Sequence, residues 1–131
     1  MIKAKIISEV LGSPQEHVDK TLQLLLEKLK ERSSLHIMNE TIFQAEKIEG
    51  KPFFSGFIEY EISVENLNEL SGFCFDFMPS SIEILEPDKL NINAVEAGEF
   101  FNEIMARLHQ NDMLLRNTVA QLNLLRKEKS T

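Results

Sequence analysis

The amino-acid sequence predicts an α+β fold: strand, helix, strand, strand, helix, strand, closed by one long amphipathic helix. Apolar and polar residues alternate in Ile2–Val10 and again in Phe54–Val64, the period of a half-buried strand. Between Pro14 and Arg32 the apolar residues instead recur at helical spacing. From Ala94 to Leu125 a seven-residue repeat takes over, with no proline in it. A chain of 131 residues, 43% hydrophobic and 27% charged, is large enough to bury one core without disulfide staples.

The first strand puts Ile2, Ala4, Ile6, Ser8 and Val10 on one face, with Lys3, Lys5, Ile7 and Glu9 on the other, and Gly12 ends it. Ser13 then suits the N-cap of a helix, Pro14 its first position and Glu16 the third, a capping box. That helix buries Val18, Leu22, Leu25, Leu26 and Leu29 and stops near Ser33–Ser34. Leu35 to Ile48 favours a strand whose alternation slips at Asn39–Glu40, and Glu49–Gly50–Lys51–Pro52 reads as a hairpin connection. The next strand shows Phe54, Gly56, Ile58, Tyr60, Ile62 and Val64 to one side, and Phe53, Ser55, Phe57, Glu59 and Glu61 to the other. A shorter helix fits Glu65 to Met78, with Leu67, Leu70, Cys74 and Phe77 at helical spacing, and Pro79 ends it. Ser80 to Leu85 supplies the fourth strand, closed by Pro87, with Leu90 and Ile92 as a short extension.

Right-handed crossovers fold this order into one antiparallel four-stranded sheet with both helices on one face. Over residues 1–86 the order resembles the ferredoxin-like fold, of which ACT-type regulatory domains are one branch. The run Phe75-Asp76-Phe77-Met78-Pro79-Ser80-Ser81-Ile82-Glu83-Ile84 also resembles a group of small archaeal-type proteins, a likeness that brings no activity with it. The ACT resemblance implies an effector site in a glycine-containing loop at a dimer interface. Leu11-Gly12-Ser13-Pro14 occupies the corresponding turn, so Gly12 and Ser13 form the candidate ligand loop. Two parts follow: a ferredoxin-like domain over residues 1–92 and a C-terminal helix over residues 93–129.

Asn93, with Glu96 three residues on, forms a capping box for that helix. Ala94, Phe101, Leu108, Leu115 and Leu122 fall seven apart, and Ala97, Ile104, Asn111, Thr118 and Leu125 fall between them. They make an a/d seam, the pattern of helices that pair. It is broader at its start, where Phe100 and Met105 flank it, which suits docking of the first half on the sheet and pairing of the second half with another helix. A helix folded back on its own domain needs the same spacing, and so does one that meets a foreign partner helix. The expected oligomer interface is Phe101, Ile104, Leu108, Asn111, Leu115, Leu122 and Leu125. On the bare face of the sheet, Ile7, Phe53, Phe57 and Leu85 form an apolar patch that calls for a cover.

A net charge of −7 and a pI near 5.0 argue against nucleic acid and anionic membrane surfaces as partners. The basic cluster Arg116, Arg126, Lys127 and Lys129 complements the negative end of a helix dipole. Phe53 and Phe57 beside Lys3 and Lys5 imitate an RNA-stacking sheet, but Glu9, Glu59, Glu61 and Glu83 share that face. The opening residues turn polar at Ser8–Glu9 before any leader is complete, and no apolar run is long enough to span a bilayer, so a cytoplasmic chain is expected.

No catalytic constellation, cofactor motif or metal-ligand spacing is found. His17, His36, His109 and Cys74 stand apart, and the glycines form no phosphate cradle. Cys74, among Phe73, Phe75 and Phe77, reads as a core thiol. His109 with Asp112, and the row Glu96, Glu99 and Glu103, read as solvated surface, as do Glu59 and Glu61. The expected function is a non-enzymatic, oligomerising (dimeric) protein-interaction module, with an ACT-like small-molecule-binding regulatory domain as the alternative.

Overall fold

The structure, a computed structural model, describes residues 1–130. The chain divides into two units, Met1–Asn91 and the residues from Ile92 onward. The first unit contains β1 (Ile2–Gly12), α1 (Gln15–Glu31), β2 (His36–Lys47), β3 (Phe54–Val64), α2 (Leu67–Phe77) and β4 (Ser81–Glu86), and the second is built on α3 (Ala94–Ser130). The strands form one antiparallel sheet in the order β2-β3-β1-β4. This is the ferredoxin-like βαββαβ arrangement that the element order predicts.

Alternation in the central strands sets the core. Ile2, Ala4 and Ile6 of β1 lie opposite Val64, Ile62 and Tyr60 of β3, and all six are buried. Val18, Leu22 and Leu29 of α1 and Phe73 of α2 join the same cluster, so both helices cover one face. A Cβ at Gly56 would stand 2.6 Å from Leu22 Cδ1 and 3.3 Å from the Ala45 backbone; glycine there lets α1 lie close on the sheet. Tyr60 meets Phe73 edge to face at 6.4 Å. Its hydroxyl pairs with Ser8 Oγ at 2.8 Å, satisfying the polar pair within the core. Burial pushes the Tyr60 phenol up to about 12, with the Ser8 hydrogen bond opposing the shift.

The local differences from the sequence expectation have identifiable causes. β1 continues through Gly12, which pairs with Phe54, instead of ending before it. The Ser13 capping box does not form: Pro14 occupies the N-cap in an extended conformation, no side chain caps the helix, and α1 begins at Gln15. Gln15 and Asp19 are engaged elsewhere, on the carbonyl and the amide of Ala45, each at 2.8 Å. Ala45 lies where β2 slips register between Phe43 and Glu46, so α1 side chains satisfy a backbone that the ladder leaves unpaired.

The slip expected at Asn39–Glu40 is present, with Asn39 at φ 53° and a register shift between Met38 and Thr41. In the β2–β3 connection Gly50 takes φ 75°, a conformation glycine adopts without strain. α2 is shorter than Glu65–Met78 and starts from Asn66, whose side chain accepts from the Glu69 amide at 2.9 Å. Its buried face turns on Leu70 and Phe73, while Cys74 and Phe77 are only half-buried. Met78 closes the helix in the left-handed conformation, ahead of Pro79. Leu90 and Ile92 add no strand.

Candidate functional site

α3 begins with Asn93 capping as the sequence predicts, though Glu96 meets the Asn93 side chain and not its backbone amide. Asn93 Oδ1 accepts from the Glu96 amide at 2.9 Å, and the two side chains approach to 3.5 Å. The helix then runs for 37 residues without a break, about 55 Å at 1.5 Å per residue. Continuity places all the expected seam residues on one element. Phe101 is 61% exposed, Leu108 51%, Leu115 63%, Leu122 46% and Leu125 58%. Ile104 is half-buried, and every residue from Leu108 to Lys129 is exposed.

Two polar residues interrupt this row. Thr118 donates its hydroxyl to the Leu114 carbonyl at 2.8 Å, so that donor is satisfied within the helix. Asn111 brings an exposed amide with both donor and acceptor capacity. Charges line the edges in i,i+4 pairs, Arg107 with Glu103 at 2.9 Å and Arg116 with Asp112 at 3.0 Å. Exposed apolar residues also lie off the seam, at Met113 and Leu124. On a straight helix a seven-residue repeat drifts by about 20° per heptad, so the row winds slowly around α3.

The other expected positions lie in the first unit. Gly12 ends the β1–β3 ladder and Ser13 lies in the turn before α1. A Cβ at Gly12 would make only ordinary contact with Val18, at 3.5 Å, so close packing does not demand glycine there. Two shallow depressions lie elsewhere, one beside Asp19, Lys20 and Gln44, the other over Lys5, Glu59 and Glu83.

On the face opposite the helices, Ile7, Phe57 and Leu85 are half-buried and Phe53 is 49% exposed. Phe57 stacks on Phe43, centroids 4.6 Å apart, an aromatic partner that sequence reading missed. The opposed pairing Phe43↔Phe57 is the signal, hidden by the register slips of β2. Lys5 binds Glu59 at 2.7 Å, and that hydrogen bond and charge, with Glu83 and Glu61 nearby, push its ammonium above the ordinary value. Ser55 donates to Glu9 at 2.9 Å, and Asn39 donates to Glu61.

A second surface also escaped sequence reading. Ile82 and Ile84 of β4 lie opposite Ile6 and Ala4, yet they are 42% and 40% exposed. α2 spans only 11 residues and packs on β3, so the β4 edge of the helix-bearing face stays open.

Burial raises the Cys74 thiol above its ordinary value, the reverse of what activates a nucleophile. Among the described residues no group of three His, Cys, Asp or Glu side chains could hold a metal ion. Among the same residues, no helix is long and apolar enough to cross a membrane.

Residues 3–126 match the sequence profile of the MJ0538 family. A relative named Uncharacterized protein MJ0538, from Methanocaldococcus jannaschii, is 32% identical over 101 residues. That match covers 76% of this chain and 37% of the relative, so the chain spans little more than a third of the relative's length. No solved structure matches the chain.

Proposed function

The chain belongs to the MJ0538 family, and we propose that it is a non-enzymatic interaction module that joins copies of itself through α3. One observation carries this reading: large apolar side chains stand exposed at seven-residue spacing along an unbroken helix. Water penalises that arrangement. Burying each such leucine contributes roughly 1.5–3 kcal/mol, so several seam residues covered together outweigh the loss of freedom on association. Isolated helices draw little stability from propensity alone, and pairing supplies what a lone helix lacks. The activity is assembly, and the folded domain of residues 1–91 is what the assembly presents. The reading places the protein in the cytoplasm, where the lone Cys74 stays reduced.

The test replaces Leu115 and Leu122 together with aspartate. The mass in solution should fall to that of a single 15.1 kDa chain, while the sheet domain still unfolds cooperatively. An unchanged mass overturns the reading.

The strand order supports a second reading, an ACT-like domain that holds a small molecule at Gly12 and Ser13. A ligand that binds only the folded state raises its melting temperature. An amino acid or similar metabolite should therefore produce a thermal shift, and a flat response across such compounds retires this reading.

A further inference from the structure

We infer that α3 pairs with α3 of a second copy of the chain in parallel and in register; this rests on the assembly reading above and adds its direction. The two polar seam residues, Asn111 and Thr118, both occupy heptad position d. Position a is apolar at every turn from Ala94 to Leu122. An antiparallel pair sets a residues against d residues in any register, so it buries the Asn111 amide against an apolar side chain. A parallel, in-register pair sets Asn111 against Asn111 of the second copy. Two facing amides each offer the other a donor and an acceptor, whereas an amide against leucine leaves buried polar atoms unpaired. Thr118 discriminates little, because its hydroxyl is already bonded to Leu114 of its own helix.

The edges of the seam agree in charge. In a parallel pair, each g residue lies beside the e residue five positions further along the other helix. Arg107 then lies beside Asp112 of the second copy, opposite charges on both sides of the pair. Their present pairs with Glu103 and Arg116 are exposed i,i+4 bridges, weak enough to be shared or exchanged on docking. Leu114 lies beside Val119 of the second copy, apolar beside apolar. The antiparallel register that aligns the interface residues end to end, Phe101 opposite Leu125, instead brings Asp112 beside Asp112 of the second copy. Parallel pairing brings both helix N-termini to the same end of the pair.

The experiment places a spin label on the full chain at Asn123→Cys, in a Cys74→Ala background with Cys74→Ser as the alternate. Distances between labels are measured alongside the mass of the same samples by light scattering. Parallel pairing holds the two labels level, within about two helix diameters, roughly 20–24 Å. In the antiparallel register the labels lie about 30 Å apart along the axis as well, at 1.5 Å per residue. An assembled sample with the long distance overturns the parallel direction and keeps self-assembly. A single-chain mass overturns both.

Discussion

In residues 1–91, Ile6, Leu22, Ile58 and Phe73 are fully buried, and even the polar pair Ser8–Tyr60 is satisfied inside the core. Along α3, Phe101, Leu115 and Leu122 stand about half exposed or more, although they are residues of the same kind. What differs is length: α1 spans 17 residues and α3 spans 37. Strand alternation in β1 and β3 and helical spacing in α1 close on one another within one chain. A seven-residue repeat sustained over several heptads suits another helix with the same repeat. The first region closes its own core, while along α3 the apolar row stays exposed.

Damage to the domain should therefore leave assembly alone. Phe73→Ala removes a fully buried ring that packs against Tyr60 and Phe77. It should cost about 3–5 kcal/mol of domain stability in urea unfolding. The mass in solution should not change under native conditions; loss of assembly in this variant would break the separation between the two regions.

pH separates them more gently. Tyr60 is the only tyrosine and there is no tryptophan, so phenolate absorbance reports this core position alone. Its folded value is about 12, above the ordinary phenol value near 10, so the folded state binds the proton more tightly. The contribution is full below the unfolded value and is lost as pH rises through the window to the folded one, at no more than about 1.4 kcal/mol per pH unit. Comparison of the natural chain with Tyr60→Phe across that window should show the extra slope only when the phenol is present.

The smallest effect tests the seam. Asn111→Leu replaces the polar layer with an apolar one and should stabilise the assembly by about 1 kcal/mol while loosening its preference for one direction. The domain's own unfolding midpoint should not move. A destabilised assembly would argue that Asn111 does not lie between two helices.

Much of the fold was legible because its signals are local. The alternation in Ile2–Val10 and Phe54–Val64, the Asn93 cap and the slip at Asn39 each depend on neighbours in sequence. The misreadings came where tertiary contacts compete with local preference. Ser13 loses the cap because Pro14 takes that position, with Gln15 and Asp19 drawn to Ala45. Phe73 displaces Cys74 from the centre of α2's buried face because Tyr60 provides a ring to pack on. Ile82 and Ile84 face the same side as the buried Ile6 and Ala4, but a short α2 leaves them open, which no local signal reveals. For the candidate site, the placement of these residues on one unbroken helix was readable from their spacing. The Phe43–Phe57 stack was not, since it depends on how β2 slips against β3.

The central claim, that α3 joins chains, is tested most directly by light scattering after gel filtration on the full chain and on a chain truncated after Leu108. A dimer or larger is expected for the full chain and a folded single chain for the truncated one. A full-length chain that is already monomeric, or a truncated chain that still assembles, would contradict it.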